Sequence, residues 1–193
     1  MQAGLNSATS HTTPVFFSTE AGPNLTAMSE RPDLYGNTHR SGHDSEPEWH
    51  SILSQYDIAS GLFQHAHNDS GNGGFFNDMD MLQIGQGDFR TPEDFSKVLV
   101  HFTMHVMLKS TLLLSTVVDR LPQNVVAALT NAELLSIHQD GLGQQARRVS
   151  SVPPPGGAVL TPPLSSLMVL KPARECRRLH YITLLTSSLL IFY

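Results

Sequence analysis

The chain has 193 residues, 40% of them hydrophobic, which fits one soluble globular domain with a sizeable core. Its formal net charge of -5 argues against a nucleic-acid module, which usually displays a basic face. The one cysteine, Cys176, cannot close an internal disulfide, and the opening "MQAGLNSATSH" lacks the basic and apolar regions of a secretory signal. Two N-glycosylation triplets, at Asn24 and Asn68, are compatible with secretion, although such triplets arise often by chance.

In chain order, "PVFFS" (14–18) is a β-branched and aromatic run that predicts a buried strand with Glu20 at its exit, before the turn-forming "AGPN". A second strand is expected near residues 33–38. Polar, glycine-containing sequence covers residues 35–44. Behind Pro47, Trp49, Ile52, Leu53 and Tyr56 recur at helical spacing. Next, "GGFFNDMDMLQIGQGDF" (73–89) sets Asp78 and Asp80 inside an apolar run, with a strand expected at residues 74–79. Buried carboxylates without partners are costly, so the two acids belong at the strand's end, although spacing alone fits an ordinary Asp-rich turn better. The clearest helix follows: Thr91 can cap, Pro92 suits the first turn, Asp94 sits three residues past the cap, and Phe95, Val98, Leu99, Phe102 and Val106 keep the period. "TLLLSTVV" (111–118) predicts another buried strand. Residues 123–137 predict helical segments split near Thr130 and Asn131. Recurrent strand and helix point to parallel βα units in a barrel or a doubly wound sheet.

After Val149 the character changes. Residues 150–193 hold proline clusters, no regular period, a basic patch and an apolar end, so an irregular tail is expected there. The apolar run at 181–193 is shorter than the roughly 20 residues that span a bilayer; a membrane-surface or aggregation-prone tail is expected rather than an anchor.

Ten histidines invite a metal reading, above all His39 with His43 and Asp44, His65 with His67, and His101 with His105. None has a recognised ligand pattern; Phe102 stands where a zinc-protease motif needs glutamate, and packed or solvated histidines are the expectation, with no metal and no cofactor. A phosphate-cradling loop, a Gly-x-Ser-x-Gly elbow and a cysteine with a histidine partner are all missing. What remains is a set of carboxylates and an arginine at expected strand exits: Glu20, Arg40 with Asp44, and Asp78 with Asp80. Carboxylates around a cavity suit sugar chemistry, since glycoside hydrolysis uses a carboxylic pair.

"NDMDMLQIGQG" resembles the Asn-Asp-Pro-Asp-Met-Leu-x-Ile-Gly-x-Gly segment of the α-galactosidases of glycoside hydrolase family twenty-seven, with Met79 in place of the proline. "HFTMHVMLKSTLLL" is similar to that family's Phe-Ser-Leu-Trp-Ala-Leu-Met-Lys-Ala-Pro-Leu-Leu run. "LTNAELLSIHQDGLGQQARRV" is similar to its Leu-x-Asn-x-Glu-Val-Ile-Ala-Ile-Asn-Gln-Asp-Pro-Leu-Gly run, and "LNSATSHTTPVFFSTE" to the segment ending Ser-x-Cys-Glu. The resemblance implies a (β/α)8 TIM barrel that removes terminal α-galactose, or α-N-acetylgalactosamine, with retention. It also implies a secreted or lysosomal/vacuolar setting for full-length members, and homo-oligomers as in the family.

Carried over by motif, Trp-Arg-x-x-x-Asp corresponds to Arg40 and Asp44, with His39 in place of the tryptophan. Asp44 is then the candidate acid/base, and Arg40 a sugar-hydroxyl partner. Glu20 matches a substrate-contacting glutamate, although Thr19 replaces the usual cysteine. Asp80 and Met81 match the Asp-Met pair that contacts galactose; Asp78 is expected only to order the loop. The family's nucleophile lies in a Tyr-Leu-Lys-x-Asp stretch upstream of Glu20, and nothing in residues 1–13 resembles it. The expectation is therefore a partial barrel, the last four βα units, over residues 1–149, with an unrelated tail over 150–193. Its activity alone is in doubt, with a non-catalytic galactose-binding remnant or an unstable truncated product as alternatives. Four parallel strands, at 14–18, 33–38, 74–79 and 111–117, should group Glu20, Asp44 and Asp80 at their carboxyl ends.

Overall fold

The structure is a computed structural model that describes residues 15–20, 32–62, 75–141, 143–152, 165–169, 181–185 and 188–192, with single positions 4 and 28. The order is β1 (Ser18–Thr19), α1 (Pro32–Tyr35), β2 (Thr38–Arg40), α2 (Trp49–Gly61), β3 (Phe76–Asp78), α3 (Phe95–Met107), α4 (Gln123–Leu129) and α5 (Ala132–His138). β1, β2 and β3 pair in parallel in that order, with Ser18 beside Thr38 and Arg40 beside Asp78. Parallel strands need crossovers, and α1 and α2 lie on the two connections, so this part of the chain is α/β.

Three strand expectations need correction. β1 starts at Ser18 and is not buried: it lies at the sheet edge, and Phe16 is 65% exposed. Pro14 lies outside the described residues. At 33–38 the chain is instead a helical turn followed by β2, because Pro32 suits a first helical position and the extended backbone resumes only beyond Gly36. Gly36 has φ +127, and a Cβ there would meet the Phe17 carbonyl oxygen at 2.8 Å, so this residue lets β2 come alongside β1. Residues 111–117 form no buried strand. They run beside the loop after β3 through one parallel bridge, Leu82 to Leu114, with Leu113 and Val117 exposed. The expectation at 74–79 agrees with β3, and Phe75 before it is fully buried.

The helices follow their sequence signals. Thr91 and Asp94 close a reciprocal capping box, with the Thr91 hydroxyl and N–H both donating to Asp94 Oδ2 at 2.8 and 3.1 Å; residues 92–94 form a 3-10 turn that leads into α3. From Val98 onward α3 is buried on nearly every side, as a helix apolar around its circumference must be. It packs in one core with Ile52, Leu53, Tyr56 and Ala59 of α2 and with Leu82 and Ile84. Asn131 separates α4 from α5 by accepting from the N–H groups of Glu133 and Leu134 at 3.1 and 3.0 Å.

The tail is not irregular throughout. β4 (Arg147–Val152), β5 (Ser165–Val169), β6 (Tyr181–Leu185) and β7 (Ser188–Phe192) make an antiparallel sheet in sequence order. The prolines at 153–155, 162, 163 and 172 fall between these strands in sequence, which leaves short proline-free runs free to pair. The apolar end is thus two antiparallel strands, and among the described residues no helix is long and apolar enough to cross a membrane.

Candidate functional site

The carboxyl ends of β2 and β3 are locked one step beyond the sheet, where the Ser41 N–H and hydroxyl donate to the Asp78 carbonyl at 2.9 and 3.0 Å. Arg40, the last residue of β2, points its Nη2 at two carboxylates: Asp44 Oδ1 at 2.7 Å and Asp80 Oδ2 at 2.9 Å. A charge-assisted pair of this kind fixes both partners to one planar group. The Arg40 Nε is buried and has no acceptor among the described residues.

Asp80 is held from several directions. Its Oδ2 also accepts the Ser45 N–H at 2.8 Å, and its own N–H donates to Asp78 Oδ1 at 2.9 Å, an Asx turn that accommodates the left-handed φ of 71. Thr111 donates its hydroxyl to the same Asp78 oxygen at 2.8 Å, and the Met79 N–H donates to Ser110 Oγ at 2.8 Å. Ser45 is itself buried, its hydroxyl on the Met79 carbonyl at 3.1 Å. A non-glycine residue at positive φ persists only where its surroundings over-determine it, and these bonds do so.

Behind this loop stand three histidines. His105 donates Nδ1–H to the Thr111 carbonyl at 3.0 Å, and His138 donates Nε2–H to the Ser110 carbonyl at 2.7 Å. His101 accepts the Gln83 N–H at Nε2, 3.1 Å away, and its ring meets His105 edge-on with centroids 5.0 Å apart. Burial pushes the His105 imidazole down to about 4. Burial, with His105 nearby, holds His101 well below its ordinary value. All three act as neutral braces of the backbone; among the described residues no group of three His, Cys, Asp or Glu is gathered, and His65 and His67 lie outside those residues. Lys109, also with positive φ, reaches the carbonyls of Ile137 and His138 and caps α5; burial lowers its pKa, opposed by Asp140.

Of the residues picked out in the sequence, Arg40, Asp44 and Asp80 come together. Glu20 follows β1 at the same end of the sheet and is exposed; among the described residues no hydrogen bond or ion pair links it to the other three. Met81 is 38% exposed next to Asp80, and His39, in the tryptophan position, stacks on Phe75 with centroids 6.5 Å apart. Sequence reasoning passed over Ser45, Ser110 and Thr111 and gave Asp78 the lesser part. The signal available for Asp78 was its spacing: an aspartate two residues before another polar residue is an Asx-turn pattern.

A parallel sheet with polar groups converging at its carboxyl end occurs in many α/β enzymes, and comparison narrows the choice. The α-galactosidase of Cyamopsis tetragonoloba is 33% identical over 142 residues, 72% of this chain. The chain spans 31% of that curated relative's length. Among solved structures, α-galactosidase from Saccharomyces cerevisiae superposes with a TM-score of 0.70 at 20% identity, over 95% of this chain and 42% of that one. A GH27 β-L-arabinopyranosidase from Geobacillus stearothermophilus superposes with 0.67 at 16% identity, over 94% and 40%. No protein-family model matches. The α/β fold is shared with part of these TIM-barrel glycosidases. Within that class, the chain is similar to the α-galactosidases of glycoside hydrolase family twenty-seven.

Proposed function

We propose that the chain carries the acid/base and hydroxyl-binding part of an α-galactosidase site, on a partial (β/α)8 barrel formed by residues 1–149, with 150–193 as a separate unit. The observation that carries this is the Arg40 guanidinium bridging Asp44 and Asp80 at the carboxyl end of a parallel sheet. In this reading Asp44 protonates the glycosidic oxygen as the bond to the anomeric carbon breaks, then takes a proton from water in the second step. Arg40, Asp80 and Glu20 hold sugar hydroxyls, and Met81 packs against the ring.

A retaining mechanism also needs a nucleophilic carboxylate about 5 to 5.5 Å from the acid. Asp80 is engaged by Arg40 and the Ser45 N–H, which suits binding better than attack on carbon. Asp33, Asp57 and Asp69 are other aspartates of the chain, and none lies at a strand's carboxyl end in sequence context. The chain alone is therefore proposed to bind α-galactosides without turning them over. The 84% exposure of the Asp44 side chain favours this binding-only reading, because an acid acts best in a site that excludes water.

The test is to titrate the purified chain with galactose and to follow hydrolysis of a nitrophenyl α-galactoside. Binding that is lost in Asp80→Asn and kept in Asp44→Asn, without turnover, is expected. Steady-state turnover abolished by Asp44→Asn would show that a second carboxylate is recruited and overturn the binding-only reading. Absence of galactose binding would overturn the site itself.

A further inference from the structure

A cleft of about 410 Å3 opens between the loop after β3 and the segment after residue 115, with Gly85 and Arg90 on one wall and Thr116, Val117, Arg120 and Leu121 on the other. None of these residues belongs to the Arg40 cluster. The volume falls within the roughly 300–1,000 Å3 typical of small-molecule sites.

We propose that this cleft binds a small ligand through an oxyanion, a phosphate or a carboxylate, clamped between Arg90 and Arg120. Both arginines are exposed, and the ion pairs among the described residues involve Arg40, His50 and Lys97 instead. Two guanidinium groups that line one cleft, with no ion pair to either among the described residues, offer a bound oxyanion two cationic partners. Guanidinium forks match phosphate and carboxylate oxygens geometrically.

The walls are already in place. Gly85 has φ +90, and a Cβ there would lie 2.8 Å from Thr116 Oγ1 and 3.1 Å from Leu121 Cδ2, so the two walls touch at the base of the cleft. The Gln86 side-chain amide crosses between them to Ser115 Oγ at 2.8 Å. Arg90 follows Phe89, which is buried with its ring 5.1 Å from His101, and Arg120 sits in a 3-10 turn closed by the Leu121 N–H on the Val118 carbonyl at 3.0 Å. With the backbone of both walls in place, ordering on binding falls on the two arginine side chains. Val117 and Leu121 offer an apolar surface to the body that carries the anion.

The full chain should be titrated by calorimetry with inorganic phosphate, with galacturonate and with neutral galactose. Binding of phosphate or galacturonate that weakens about tenfold in each of Arg90→Gln and Arg120→Gln is expected, with the lysine variants intermediate because they keep charge but lose the fork. Phosphate alone would identify a phosphate ligand, and galacturonate alone an acidic sugar. Galactose should not displace either anion, which separates this cleft from the Arg40 site. Circular dichroism of the exposed-surface variants checks the fold, and the lysine pair repeats the test should a glutamine variant unfold. No anion binding, binding unchanged by these variants, or dependence on one arginine alone would overturn the clamp.

Discussion

The loops after β2 and after β3 grip the same guanidinium from unlike settings. Asp80 is 19% exposed, with a neighbouring N–H and a left-handed backbone bound into a network that runs through Asp78 and Thr111 to buried His105. Asp44 is 84% exposed, and Arg40 is its one recorded partner among the described residues. The difference separates a group built to hold a fixed position from one free to move toward a ligand. Exposed ion pairs contribute little to stability, whereas a partly buried, multiply bonded carboxylate contributes through what its loss would leave unpaired.

Acid should break the rigid side first. His105 is neutral in the folded state, its pKa pushed down to about 4, while the unfolded chain takes up a proton near its ordinary 6.5. The unfolded state therefore binds more protons below pH 6.5, and stability present above that pH is lost as pH falls toward 4. The loss from this group is about 3 kcal/mol, with His101 adding in the same direction. Urea midpoints measured across this range should drop, and less steeply in His105→Gln; an equal slope in that variant would refute the assignment.

Asp80→Ala should cost about 2 to 3 kcal/mol, because it strips the Arg40 group and the Ser45 N–H of an acceptor and leaves a Cβ residue at positive φ. Asp80→Gly keeps the backbone permissive and should recover about 1 kcal/mol of that loss. If alanine and glycine are equally destabilising, the left-handed backbone carries no strain. Thr111→Val, which removes one donor to Asp78, should cost about 1 kcal/mol in the same denaturation assay. Asp44→Ala should change stability by about 0.5 kcal/mol or less. A larger effect would mean that the exposed loop is as firmly built as the buried one, and the contrast would fail.

The longer helices were legible because their signals are local, whereas α1 occupies residues where a strand was expected. Thr91, Pro92 and Asp94 specify a helix start wherever they occur together, and Asn131 specifies a break. The Asp-Met and Arg-x-x-x-Asp motifs pick out Asp80 and Asp44, which Arg40 bridges, while Glu20 stands apart from them among the described contacts. Strand limits were not legible. Phe16 has a core residue's composition at a sheet edge, and "TLLLSTVV" reads as a strand but finds a turning loop beside it, with Gly85 leaving the extended region after a single bridge. The tail escaped because antiparallel pairing joins runs separated by proline-rich sequence, which no local period reports.

The buried amides of Asn77 and Gln145 meet each other, and both donate to the Ala59 carbonyl, at 3.3 and 3.1 Å. These contacts span 68 and 86 residues of sequence. During synthesis the Asn77 amide can reach the Ala59 carbonyl early, but it gains the Gln145 side-chain oxygen as a further acceptor only after Gln145 has left the ribosome. Since unpaired buried groups disfavour the compact state, this half of the sheet should close late, and a nascent chain stalled before Gln145 should remain a target for chaperones and proteases.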